Sequence, residues 1–223
     1  MSIKHNVAVV KKEIETYQKA SQVKLIAATK YVGVSEIREL LAAQVFTLGE
    51  NKVQSLLEKR AALQGENALI EWHFIGHLQT NKIKKIIDFI SCIQAVDSLK
   101  LAKEIQKQAN KINRKIKILL EVNISEEESK YGFSKEEIIK IFPEFRKFDS
   151  LAIIGLMCMA PLGADVFTTR NVFRSLAQLR DDLKLLYPWC IYLNELSMGM
   201  SNDYPLALQE GASMVRIGSK LFQ

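Results

Sequence analysis

The chain reads as a TIM-type (β/α)8 barrel preceded by one extra helix. Three observations carry this reading. Eight short apolar runs alternate with segments whose apolar residues recur every three or four positions. The runs are near-continuously apolar, as strands of a parallel sheet covered on both faces are. No Pro/Gly/Ser-rich linker and no break in composition divides the chain, so residues 1–223 read as a single domain. The runner-up architecture is an open doubly wound sheet, but no Gly-x-Gly-x-x-Gly turn follows the first strand.

The elements follow in order. Val7, Val10, Ile14 and Tyr17 have helical spacing, so the chain opens with an amphipathic helix over residues 6–17. Residues 23–31 form the first strand, and Gly33 ends it. Val34, Ile37, Leu40 and Leu41 mark a second helix, and residues 45–48 a strand that ends at Gly49-Glu50-Asn51. Val53, Leu56, Leu57 and Leu63 give a third helix, residues 71–76 a strand, and Leu78, Ile83, Ile86 and Ile87 a fourth helix. A strand over 90–96 is followed by Asp97-Ser98, a cap for the helix carrying Leu99, Ala102, Ile105 and Ala109. Residues 116–122 are a strongly apolar strand. Ser134 to Glu137 is a capping box for a helix that Pro143 shortens or kinks. A strand over 151–157 precedes a long helix with Phe173, Leu176, Leu179, Leu183 and Leu186, which stops before Pro188. Residues 193–196, a short helix over 204–210 and a strand over 213–218 complete the pattern.

Composition narrows the function. Apolar content is 48% and charged content 25%, ordinary for a globular protein. No apolar run approaches the roughly 18 residues that span a bilayer, and the first residues lack the core of an export signal. The three cysteines (Cys92, Cys158, Cys190) form no metal-ligand pattern and read as buried thiols of a reducing compartment. A cytoplasmic, membrane-free protein is expected. The net charge is +6, with clusters at Lys82, Lys84 and Lys85 and at Lys107, Lys111, Arg114, Lys115 and Lys117. No aromatic residues interleave to stack bases, so these read as solvated faces rather than a nucleic-acid surface. A mild positive field still favours a phosphorylated small molecule.

Chemistry concentrates at the two ends of the chain. Strand alternation puts Ile26, Ala28 and Lys30 on one face. If that face lines the barrel, Lys30 stands at the mouth on an apolar wall, where its neutral amine gains weight and can condense with a carbonyl compound. Closure of the barrel brings the first strand beside the last. The segments after strands seven and eight, where this fold holds phosphates, read Ser197 to Asp203 and Arg216 to Ser219. Ser201 is expected to cap the short helix at Tyr204, leaving N–H groups for an anion. Gly218 lets backbone approach a phosphate, and Ser219 adds a hydroxyl. His73 and His77 read either as acid/base groups or, for His73, as a hydrogen-bonded core residue and, for His77, as an exposed one at a helix start. Met157, Met159, Met198, Met200 and Met214 read as core or pocket lining.

An ordered set of motifs then points to a family: Thr29-Lys30, Gly49-Glu50-Asn51-Lys52-Val53-Gln54, His73-Phe74-Ile75-Gly76, Leu78-Gln79-x-Asn81-Lys82, Gly155-Leu156-Met157, Ser197-Met198-Gly199-Met200-Ser201-x-Asp203 and Val215-Arg216-Ile217-Gly218. Together they resemble the pyridoxal phosphate homeostasis protein family (YggS/PROSC), from about Lys24 to Phe222. The resemblance implies a barrel similar to that of alanine racemase, with pyridoxal 5′-phosphate (PLP) held covalently on Lys30. It implies a phosphate cup of Ser201, the Met200 backbone, Gly218 and Ser219, with Arg216 beside the pyridine nitrogen and Asn51 near the ring. Where the family usually has threonine, this chain has Ser219, which keeps the hydroxyl. The chain also stops at Gln223, where relatives commonly continue.

The implied role is a monomeric, non-catalytic carrier that buffers PLP or delivers it to PLP-dependent apoenzymes. An arginine cannot accept the pyridinium proton, so the ring would stabilise carbanions poorly. Alternation points Tyr31 away from the site, so no second catalytic base is expected. The alternatives are a fold-type III PLP enzyme such as an amino-acid racemase, a Schiff-base aldolase, and an interaction module whose ligand regulates binding. The string Lys130-Tyr131-Gly132-Phe133 also matches the family and is expected near the barrel mouth.

Overall fold

The computed structural model describes residues 2–127 and 131–223. Eight parallel strands close into a barrel in sequence order, β1 (Lys24–Ala28), β2 (Thr47–Glu50), β3 (Glu71–Phe74), β4 (Cys92–Val96), β5 (Ile116–Glu121), β6 (Leu151–Met157), β7 (Glu195–Ser197) and β8 (Met214–Ile217). The β1–β8 seam pairs Leu25 with Val215, Ile26 with Arg216 and Ala27 with Ile217. This is the barrel that the alternating pattern implies, and the open sheet is excluded.

Helices α1 (Ile3–Tyr17), α2 (Val34–Ala42), α3 (Val53–Ala62), α4 (Leu99–Lys111), α5 (Lys135–Ile141), α6 (Val166–Leu186), α7 (Tyr204–Gln209) and α8 (Ser219–Phe222) surround it. The caps at Ser98 and Ser134 form as expected: each hydroxyl accepts a backbone N–H three residues on. Pro143 shortens α5, and a 3-10 helix over Phe142–Lys147 follows. Other boundaries differ from expectation. The helix after β3 is a 3-10 turn over Thr80–Lys85, too short for a full amphipathic face. β7 begins at Glu195, because Leu193 lies in a turn closed by its N–H to Cys190 O (3.2 Å).

Two cores separate cleanly. Ile26, Cys92, Ala95, Leu119, Met157 and Met214 fill the barrel interior. A larger cluster lies between strands and helices, with Ala27, Leu48, Trp72, Leu120 and Phe173 among its members. Ile26 inside and Ala27 outside confirm the alternation read for β1. Burying each large aliphatic side chain contributes roughly 1.5–3 kcal/mol. A shift of register between Ile93 and Val96 lets both Gln94 and Ala95 turn inward.

The extra helix α1 packs on α2, α7 and α8. Its Asn6 amide donates to Leu221 O (3.2 Å) and Gln223 O (2.8 Å), and Glu13 meets both Lys220 Nζ (2.7 Å) and the Tyr204 hydroxyl. All three cysteines are buried. Among the described residues no helix is long and apolar enough to cross a membrane.

Gly155 marks the tightest approach of two strands: a Cβ there would lie 1.9 Å from Glu195 O. Gly155→Ala must push β7 away from β6, so it is expected to cost at least ~2 kcal/mol. Gly65→Ala, in open space, is expected to stay within about 0.5 kcal/mol of the parent. Urea unfolding of the two variants checks both.

Candidate functional site

The mouth of the barrel is set by where β1 stops. Thr29 N–H still reaches Gly49 O across to β2 (3.0 Å), but Val32 N–H folds back to Thr29 O (3.1 Å). Lys30 and Tyr31 therefore sit in a turn beyond the strand, not within it. One expectation changes. Lys30 is exposed at the rim rather than set against an apolar wall. Tyr31 also lies past the strand and is exposed to solvent, and Lys30 Nζ lies over its ring, 4.8 Å from the centroid.

A buried ion pair anchors this turn. Glu50 Oε1 accepts from Lys59 Nζ (2.6 Å) and from Thr29 Oγ1 (2.5 Å), and Glu50 Oε2 accepts from Ser55 Oγ (3.2 Å). Lys59 Nζ also donates to Thr29 O at 2.6 Å. Glu50 is wholly buried and Lys59 nearly so. The residue before Lys30 is thus held by backbone and side chain together.

Arg216 lies across the seam, buried on the inner face of β8. Its Nη1 donates to Ser197 Oγ (2.7 Å) and its Nη2 to Cys158 O (2.8 Å). Ser197 Oγ donates in turn to Gln94 Oε1 (2.7 Å), which leaves Gln94 Nε2 to donate to His73 Nδ1 (2.8 Å). Every donor direction in this chain is fixed, and it requires the His73 tautomer with its proton on Nε2. Burial, then the charge of Lys24, pushes His73 down to about 3, so its 4.0 Å approach to Glu71 is not an ion pair. Of its two readings, the structure shows His73 as the hydrogen-bonded core residue. Burial also lowers Arg216, while Cys158, Glu121 and Asp203 act in the opposite sense.

The loops after β7 and β8 meet as expected, with one role changed. Asp203, not Ser201, occupies the N-cap position of α7, and its Oδ1 accepts from Met200 N–H (2.6 Å). Burial raises the Asp203 carboxyl above its usual range. Ser201 Oγ instead accepts from Gly218 N–H (3.1 Å) and Lys220 N–H (3.4 Å) at the start of α8. Ser201, Gly218 and the exposed Ser219 thus converge on one spot beside the β1–β8 seam. Met200 and Met159 are exposed, whereas Met157, Met198 and Met214 are buried.

Asn51 directly follows β2 and lines a cavity of about 290 Å³ with Lys52, Phe74, His77, Lys82 and Lys85. A larger cavity, about 660 Å³, opens at the opposite end of the barrel around Val23, Phe46 and Glu71. That end serves stability in this architecture. His77 is exposed, holds Asp97 Oδ2 at 2.8 Å and stacks on Tyr131 at 4.2 Å. Lys130 lies outside the described residues. Gly132 and Phe133 return to the mouth, with Phe133 N–H on Glu121 O (2.9 Å).

The structure therefore brings Lys30, Arg216, Ser201, Gly218 and Ser219 to one side of the mouth, with Asn51 beside Lys30 at the end of the neighbouring strand β2. Sequence reasoning missed Lys59, Gln94 and Glu121. Gln94 carried a signal as the lone polar residue of β4, and Glu121 carried one as a charge at the mouth end of the largely apolar β5. Lys59 carried none, because its spacing from Glu50 acquires meaning only once α3 packs on β2. Among the described residues no group of three or more metal-ligating side chains occurs.

Known proteins frame this geometry. The family model for the alanine racemase N-terminal domain matches residues 1–223. A pyridoxal phosphate homeostasis protein from Aquifex aeolicus is 41% identical over 199 residues, spanning 89% of this chain and 86% of that one. One from Haemophilus influenzae is 33% identical, spanning 100% and 95%. PipY of Synechococcus elongatus, solved with PLP bound, superposes with a TM-score of 0.91 at 32% identity over 100% of both chains. Alanine racemase from Clostridium difficile shares the fold, with a TM-score of 0.73 at 15% identity over 98% of this chain and 56% of that one.

Two experiments follow from the buried charges. Lys59→Met leaves Glu50 unpaired and is expected to cost about 3–5 kcal/mol in urea unfolding, part of which Glu50→Gln in the same chain restores. The second concerns pH. Burial, then the charge of Asp97, pushes Glu121 up from 4.5 to about 7, while His73 falls from 6.5 to about 3. As pH falls from 7 to 4.5 the folded state takes up the Glu121 proton first and gains stability. As pH falls from 6.5 to 3 the unfolded state takes up the His73 proton first and the folded state loses stability. Each slope is about 1.4 kcal/mol per pH unit, so the two offset each other between pH 4.5 and 6.5. Glu121→Gln is expected to lose stability on acidification through that window, and His73→Gln to gain it, in denaturant titrations at stepped pH.

Proposed function

Because the chain belongs to the pyridoxal phosphate homeostasis protein family, on the barrel of the alanine racemase N-terminal domain, we propose that it holds PLP as a Schiff base on Lys30. In this reading it buffers the cofactor within the cell, or delivers it to PLP-dependent apoenzymes, as a monomer that catalyses no reaction of its own. The observation that carries the reading is the convergence of Lys30, Arg216, Ser201 and Gly218 at the β1–β8 seam.

The donor set suits the group. Gly218, Ser219 and Ser201 offer hydroxyls and backbone close to the start of α8, a chemistry that suits a phosphate dianion. Arg216 is a buried cation whose guanidinium is clamped by Ser197 and Cys158 O, so it presents a fixed donor edge to a ring nitrogen. Bound PLP supplies an aldehyde that condenses reversibly with an amine. Lys30 provides that amine at an exposed rim, where it is open both to capture and to release. The Glu50–Lys59 pair fixes the backbone before it.

A carrier role is favoured by the same arginine. Arg216 has no acceptor and cannot hold a proton against the pyridine nitrogen, so the ring is a weak electron sink beside it. The chain His73–Gln94–Ser197 that orients Arg216 contains no carboxylate to change this.

The test is borohydride reduction of protein incubated with PLP, followed by peptide mapping. A pyridoxyl-phosphate adduct on the Lys30 peptide, absent from Lys30→Ala, is the expected result. An unmodified Lys30 in excess cofactor overturns the reading. Steady-state racemisation of a free amino acid that depends on Lys30 would instead identify a racemase.

A further inference from the structure

Four charged side chains are buried among the described residues: Glu50, Lys59, Glu121 and Arg216. Glu50 and Lys59 satisfy each other, and Arg216 is held by Ser197 and Cys158 O. Of these four, Glu121 alone has no hydrogen bond or ion pair to its carboxyl from another described residue. Its position is specific. Leu119, two residues earlier on β5, fills the barrel interior, so Glu121 lies on the same inner face, one layer nearer the mouth. It is 4% exposed. Its backbone carbonyl is covered by Phe133 N–H, which closes that side of the mouth.

The neighbours do not satisfy it. Asp97, at the end of β4, is an acid and is already tied to His77 Nδ1. Arg216 on β8 and His77 beyond β3 act on Glu121 through their charge but form no hydrogen bond to it. Among the described residues no side-chain N or O atom is both sealed from solvent and unpaired, so the Glu121 carboxyl, which has no partner among them, keeps contact with solvent through the mouth, where a group from outside the chain can reach it. Such a group must donate hydrogen bonds and carry positive charge, since an ionised carboxylate is an acceptor only. A divalent cation is a poor match, because such ions take six or more oxygen ligands and no group of three ligating side chains is present among the described residues. A primary ammonium, with one charge and three donors, fits a single carboxylate.

We propose that Glu121 is the binding group for a primary ammonium that enters the barrel mouth, belonging to the amine that takes the aldehyde from the protein. The identity of that amine as a recipient rests on the function proposed above; the ammonium site itself rests on Glu121. Free amino acids and lysine side chains share this chemistry.

The test uses ligand-free protein carrying 13C-labelled glutamate, with the Glu121 carboxyl signal assigned through Glu121→Gln. Butylamine is titrated near neutral pH at constant ionic strength, with butan-1-ol as a neutral control of the same shape. Butylammonium is expected to move the Glu121 signal and butanol to leave it in place. Glu121→Gln, which keeps the shape and removes the charge, is expected to weaken butylamine binding by roughly tenfold or more, read by calorimetry. Binding of L-alanine but not of Nα-acetyl-lysine amide marks a free amino acid as the source, and the reverse marks a protein side chain. A Glu121 signal that ignores butylamine, an equal response to butanol, or equal affinity in Glu121→Gln overturns the proposal. The first two outcomes are read on the unmodified chain and do not depend on the variant folding. Borohydride mapping of Lys30 is read separately, so failure of the PLP reading and failure of the ammonium site are distinct results.

Discussion

The seam between β1 and β8 is the contact on which the site depends. Backbone hydrogen bonds between the first and last strands place Ile26 beside Arg216 and Ala27 beside Ile217. Lys30 follows a few residues beyond one strand, and Gly218 and Ser219 directly follow the other. No local sequence signal joins these residues; the closed sheet does. Around the ring, parallel strands end at the same rim, so their next residues form one wall. A parallel barrel thereby turns distance along the chain into adjacency at the mouth.

Behind that wall, the buried polar groups fall into two sets that face opposite ways. Glu50 points outward from β2 and meets Lys59 on α3, which ties the helical layer to the turn carrying Lys30. Ser197, Gln94 and His73 point inward and tie Arg216 to the far side of the barrel. The members of each set hydrogen-bond to one another, which lowers the cost of desolvating them. The outward set governs where an amine stands. The inward set governs how a guanidinium is turned. Glu121 belongs to neither.

Much of this was legible in the sequence, for a physical reason. Strand and helix periods reflect burial, and a barrel buries both faces of every strand, so the apolar runs around Ile93, Leu119 and Ile153 stand out. Ser98 and Ser134 are legible because capping is local. The misreadings fall where periodicity stops. Lys30 lies one turn past β1, where alternation no longer assigns a direction. Ser201 was read as a cap for the nearer α7, yet its hydroxyl serves α8, which becomes its neighbour only through the pairing of β7 with β8. Lys59 was illegible because an ion pair between strand and helix has no fixed spacing. The candidate site was thus visible as a set of residues, while the contacts that orient it belong to tertiary structure.

The seam also carries a consequence in time. Lys30 is made early and Arg216, Gly218 and Ser219 late, with nearly the whole chain between them. At ~5–20 residues per second, synthesis separates them by roughly 10–40 s. Through that interval the lysine has neither the guanidinium nor the serine and glycine of the last two loops beside it. The N-terminal helix waits as well, since its Asn6 amide bonds to carbonyls at Leu221 and Gln223. A nascent chain therefore carries Lys30 without these neighbours, and the mouth is complete only once the final strand pairs with the first.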